Sequence, residues 1–104
     1  RQIEGSGADA TMMRRHLAAF DRNAYAVSHV GWGLNPRARY EALSMYGQRD
    51  TQGTELRCVA GNFLFSTGAN EFAGRFTEGH FDLPVFNTTI ALDGEVVVRE
   101  GVVL

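Results

Sequence analysis

Thr88-Thr89-Ile90-Ala91-Leu92-Asp93-Gly94-Glu95-Val96-Val97-Val98-Arg99 is the stretch on which the fold reading turns. Asp-Gly set between runs of β-branched and aliphatic residues signals a two-residue hairpin. Gly101 then predicts one more turn, and Val102-Val103-Leu104 a short final strand. Working upstream, His80 to Val85 is a compact β-like run whose Pro84 favours an edge or a strand end. Glu55 to Phe65 holds a second β-like run, Leu56-Arg57-Cys58-Val59-Ala60 followed by Phe63-Leu64-Phe65, and Tyr25 to Val30 a shorter one. Between the last two lies Arg37 to Tyr46, which reads as helix with Asn35 as cap, Pro36 in the first turn and Gly47 as stop. Near the start, Met12, Met13, His16, Leu17 and Phe20 recur at spacings of three and four, an apolar stripe that predicts a helix over 9–21 capped by Asp9. Residues 47–54 read as a polar loop. Ser66 to Gly79, with glycines at 68, 74 and 79, reads as an irregular segment of about 14 residues, long against the usual ~4–6. The fold class is α/β, with α+β as the alternative: a mixed sheet, two helices and a C-terminal β-hairpin.

Composition narrows the function classes. The chain has 104 residues, 44% of them apolar, which suits a single domain over 1–104 with a real core. Ten basic against twelve acidic residues leave a charge of −2, without the basic excess of a nucleic-acid binder. No apolar run approaches the ~20 residues that span a bilayer, so no membrane is expected. The single cysteine, Cys58, excludes an internal disulfide and fits a reducing, cytoplasmic setting. All ten basic residues are Arg, so this segment carries no Schiff-base lysine. Arg1-Gln2-Ile3-Glu4-Gly5 reads like the tail of a strand entering a loop, as in a piece of a longer chain.

Few residues can carry chemistry. His80 and Asp82 stand at i and i+2, so on a strand they share a face, while Phe81 and Leu83 point into apolar packing. An imidazole and a carboxylate converging from one rigid element are two ligands of a divalent metal, although His-x-Asp is a weak motif that an exposed salt-bridged pair also satisfies. His29, at a strand end before Gly31-Trp32-Gly33, would complete two imidazoles and one carboxylate. That donor set serves non-haem Fe(II) oxygenases and, equally, a zinc site with a bound water; ligand type does not separate them. Ser66 lacks a Gly-x-Ser-x-Gly elbow and is not a hydrolase nucleophile, but a hydroxyl at a strand end facing a metal pocket could orient a substrate. His16 is expected in a bland packing or surface role, Cys58 as an inert thiol, and Trp32 as a packing anchor or a pocket wall.

Taken in order, Ser28-His29-Val30-Gly31-Trp32-Gly33-Leu34-Asn35-Pro36, Gly61-Asn62-Phe63-Leu64-Phe65-Ser66-Thr67-Gly68 and His80-Phe81-Asp82-Leu83-Pro84 resemble the C-terminal part of the 2,5-dihydroxypyridine 5,6-dioxygenase family, which is related in fold to aminopeptidase T-type metallopeptidases. The resemblance extends from Ile3 to the final hairpin. It implies a mononuclear Fe(II) cofactor held by His29, His80 and Asp82, with Ser66 as a catalytic serine near the metal. It further implies an extradiol-type dioxygenase that opens the ring of a small aromatic substrate with O2, giving N-formylmaleamate in nicotinate and nicotine breakdown. The family's other acid/base residues lie upstream of this segment.

The peptidase branch is the rival reading. Its members carry a glutamate where His29 stands and a histidine in the strand that here reads Leu56-Arg57-Cys58-Val59-Ala60, both needed for a two-metal hydrolytic centre. One metal is therefore the better expectation. A non-catalytic oligomerising domain is the third reading, because Ile90 to Val98 and Val102-Val103-Leu104 offer strand edges for a homo-oligomer. The Gly-rich 67–79 segment is the expected lid or rim of the site.

Overall fold

A computed structural model describes residues 2–51 and 57–104. The chain divides into two compact units, Arg1–Val30 with Phe65–Leu83, and Gly31–Leu64 with Pro84–Leu104. Among the described residues, the strands form two three-stranded sheets. The fold is α/β and ends in a hairpin set of strands, as the sequence predicts.

The first unit opens with helix α1, Ala8–Leu17. Asp9 lies in its first turn and Arg14, Arg15 and His16 in its last, so the side-chain charges oppose the helix dipole at both ends. Gly7, not Asp9, is the N-cap, and no side chain caps this end. Arg14 instead holds the lead-in segment, donating to the carbonyls of Ile3 at 3.0 Å and Gly5 at 2.9 Å. Leu17 is fully buried and anchors the helix. The helix stops there rather than at residue 21 because the Asp21 carboxylate caps a separate 3₁₀ turn, Arg22–Tyr25, accepting from the Asn23 N–H at 2.9 Å. A capped turn of its own outcompetes continuation of α1.

Strands β1 (Val27–Trp32), β2 (Phe63–Asn70) and β3 (Arg75–Val85) follow, in the sheet order β1-β2-β3. The expected irregular segment 66–79, and with it the lid, is overturned: strand continues to Asn70, a single 3₁₀ turn spans Glu71–Ala73, and strand resumes at Arg75. Asn70 caps that turn through the Ala73 N–H, and Gly74 leaves it at φ 67°. Gly68 and Gly79 are packing glycines, not chain breakers. A Cβ on Gly68 would stand 2.3 Å from the Gly79 carbonyl oxygen, and one on Gly79 would stand 2.4 Å from Ala24 Cβ.

In the second unit the Asn35 side chain accepts from the Arg37 N–H at 3.0 Å, the cap that the sequence predicts. The helix behind it is much shorter than expected: α2 spans only Ala42–Met45, and α3, Gln48–Thr51, follows Gly47. The Arg39 guanidinium takes the carbonyls of Pro36 at 2.9 Å and Ala38 at 3.2 Å; Pro36 and Arg37 form a turn, and Ala38 and Arg39 have no regular structure. Of the expected polar loop, residues 48–51 are thus helical and 52–54 lie outside the described residues. The expected strand at 56–60 is also corrected, with Leu56 outside the described residues. Arg57 and Cys58 are helical, and only Val59 and Ala60 bridge, to Asn35 and Gly33.

The hairpin forms as predicted. Strands β4 (Ile90–Leu92) and β5 (Glu95–Arg99) pair antiparallel with Leu92 opposite Glu95. Asp93 and Gly94 carry the turn at φ 50° and 87°, the two positive values that a twisted two-residue hairpin requires. A second such turn at Glu100 and Gly101, φ 48° and 83°, brings in β6, Val102–Val103, with Val98 opposite Val103. Val98 is fully buried and centres this sheet's core. No helix among the described residues is long and apolar enough to cross a membrane.

Candidate metal centre

Every residue of the candidate centre belongs to the first unit. His80 and Asp82 share one face of β3, with His80 Nε2 2.8 Å from Asp82 Oδ1. The residues between and beside them serve the other face: Gly79 is buried, and the Phe81 ring lies 5.5 Å from the ring of His16. His29 comes from β1, its ring centroid 6.1 Å from that of His80. Among the described residues, His29, His80 and Asp82 form the one cluster able to hold a metal ion, each offering a ligand atom within 4.8 Å of the others. His29 and His80 are exposed and Asp82 half-buried.

These positions fit a single first-row metal. Ligand atoms about 2.1 Å from one ion lie about 3 Å apart at a right angle and about 4 Å apart when opposed. The His80–Asp82 pair already has the right-angle spacing, and all three ligand atoms lie within 4.8 Å of one another. Two imidazoles and one carboxylate leave further coordination positions open, which is the donor set of mononuclear iron oxygenases.

Ser66 comes from β2, the strand between β1 and β3. It is completely buried, and its hydroxyl donates to Asp82 Oδ1. Asp82 Oδ1 therefore receives Ser66 from one strand and faces His80 along its own. Second contacts hold the strand that carries His29. Ser28 Oγ donates to the Ala69 carbonyl at 2.6 Å, Asn70 Nδ2 to the Ser28 carbonyl at 3.1 Å, and Arg75 to the Val27 carbonyl at 2.8 Å. A metal ligand on a strand is only as fixed as the strand, so these bonds bear directly on His29.

The three residues expected from the sequence as metal ligands, His29, His80 and Asp82, lie close together in the structure, and Ser66 lies against Asp82. The sequence reading missed His16, whose Nε2 lies 2.8 Å from the carbonyl oxygen of His80. No local signal announces a partner 64 residues away. Cys58 and Trp32 lie in the second unit and take no part in this cluster. At the positions that mark the two-metal peptidases, the chain has His29, and Arg57 through Ala60 supply no histidine.

The whole chain, residues 1–104, matches the family profile described as NicX, 2,5-dihydroxypyridine 5,6-dioxygenase. A 2,5-dihydroxypyridine 5,6-dioxygenase from Pseudomonas putida strain KT2440 is 41% identical over 98 residues, which cover 91% of this chain and 28% of that protein. A solved structure of the 2,5-dihydroxypyridine dioxygenase from Pseudomonas putida KT2440 superposes with a TM-score of 0.85 at 39% identity, covering 94% of this chain and 29% of that one. The chain thus spans under a third of the length of the relatives it matches.

Proposed function

The chain belongs to the 2,5-dihydroxypyridine 5,6-dioxygenase family, and from that premise we propose that it is the metal-bearing part of an Fe(II)-dependent dioxygenase that opens the ring of 2,5-dihydroxypyridine to N-formylmaleamate. The observation that carries this reading is the convergence of His29, His80 and Asp82 on one point from two strands of one sheet. His29, His80 and Asp82 would hold Fe(II), which when bound would supply the electron path that reaction of a closed-shell aromatic ring with triplet O2 requires.

The chain's own residues have defined tasks. Asp82 would contribute the one negative charge of the ligand set, and His29 and His80 one imidazole nitrogen each. Ser66 holds Asp82 Oδ1 from below, so the carboxylate keeps one orientation. It acts through Asp82 and is a positioning residue. The strand placement of all four side chains fixes the relative positions of metal and substrate, which is where a positioned reaction gains most of its rate.

The test uses the complete protein, loaded with Fe(II) under argon and then given 2,5-dihydroxypyridine and O2. One O2 consumed per ring opened, with one iron per chain, supports the proposal. An iron-loaded protein that consumes no O2 with this substrate overturns the dioxygenase reading. Hydrolysis of peptide amides by a two-zinc form would favour the peptidase branch instead.

A further inference from the structure

We propose that His16 is a positioning residue for the metal centre, holding the backbone of His80 from the face opposite the ligands. This role rests on the metal-binding reading above. His16 stands in the last turn of α1, and its Nε2 lies 2.8 Å from the His80 carbonyl oxygen. A carbonyl only accepts, so Nε2 carries the proton and donates, whatever the state of the other ring nitrogen. The exposed imidazole also lies near two aromatic rings, 5.2 Å from that of Phe20 and 5.5 Å from that of Phe81, both at tilted angles.

Three successive residues of β3 are thereby gripped by the helical segment. Gly79 packs so closely that an added Cβ would meet Ala24 Cβ at 2.4 Å and Phe20 Cγ at 2.8 Å. His80 is held through its carbonyl and Phe81 through its ring. The placement matters because, among the described residues, β3 has a strand neighbour on one side only. Edge strands have backbone groups with no strand partner, and an unheld edge shifts easily. His16 supplies a partner at His80, one of the two β3 residues, with Asp82, whose side chains belong to the candidate metal cluster. Fixing that backbone fixes where the His80 imidazole stands relative to Asp82 and His29. A ligand set needs positioning to within about 0.5 Å.

Two substitutions separate the hydrogen bond from the packing. His16→Phe keeps an aromatic ring near Phe20 and Phe81 and removes the donor, whereas His16→Gln keeps an N–H near the Nε2 position and removes the ring. Fe(II) affinity is measured anaerobically on the complete protein by competition with a chromogenic chelator, alongside thermal unfolding of the metal-free protein. We expect H16F to bind Fe(II) about tenfold more weakly, the lower end of what outer contacts to metal ligands contribute. H16Q is expected within about threefold of wild type. A purely structural histidine would lower the melting temperature of both variants and leave affinity, read well below melting, unchanged in both. That result overturns the proposal. Should H16F fail to fold, His16→Leu provides the same donor-free comparison with H16Q. If the wild-type protein itself binds no Fe(II), the metal reading falls and this role falls with it. Equal binding by wild type and H16F removes this role alone.

Discussion

Replacing Ser66 by Ala tests the chemistry of the centre with the least disturbance of its packing. The change removes one oxygen from a completely buried side chain and leaves the β2 backbone free to keep its place. Its hydroxyl donates to Asp82 Oδ1, a charge-assisted hydrogen bond, and such bonds contribute about 1.5–3 kcal/mol. Water does not easily replace the lost donor in so closed a position. Asp82 Oδ1 also stands 2.8 Å from His80 Nε2, so the carboxylate loses the Ser66 contact and is not left without restraint. Outer contacts to metal ligands are typically worth 10–100-fold in metal affinity, or about 1.4–2.8 kcal/mol at about 1.4 kcal/mol per factor of ten. Ser66→Ala should therefore weaken Fe(II) binding by one to two orders of magnitude in a chelator competition and lower the unfolding free energy by a comparable amount. Because Ser66 acts through Asp82, O2 uptake at saturating Fe(II) should return to within a few-fold of wild type. Unchanged Fe(II) affinity would refute the argument outright. Restored affinity with turnover still reduced a hundredfold would refute the positioning role and place Ser66 against the substrate.

The remaining predictions concern ligands and backbone. His80→Ala and Asp82→Ala should each abolish stoichiometric iron in protein purified under argon, as metal analysis would show; either variant retaining one iron per chain would disprove the ligand set. Gly68→Ala should cost more than about 3 kcal/mol in urea unfolding, because a φ of +123° adds strain to a contact of 2.3 Å with the Gly79 carbonyl. Gly94→Ala, at φ +87° with open space around the new methyl, should cost only about 1 kcal/mol. A reversed order would show that Gly68 is not a point of close strand approach.

How much of this was legible in the chain depends on the distance over which each signal acts. Asp93-Gly94 specifies its hairpin because two adjacent positive φ values are a property of two residues. The shared face of His80 and Asp82 follows from the two-residue period of a strand. The amphipathic stripe located α1, although its end was set by the Asp21 cap rather than by the stripe. Gly68 and Gly79 misled for a physical reason. Glycine marks a break and a close contact with the same absence of a side chain, and only the fold shows which applies.

The sequence by itself determined the hairpin, the first helix, the pairing of His80 with Asp82 and the likeness to a dioxygenase family. Tertiary structure alone decided that residues 66–79 are two strands around one turn, and that Ser66 donates to Asp82 across 16 residues and His16 to His80 across 64. Turn chemistry and periodicity act between neighbours in the chain, where the residue types are in plain view. A hydrogen bond between distant residues exists only once the whole path of the backbone has brought donor and acceptor within about 3 Å.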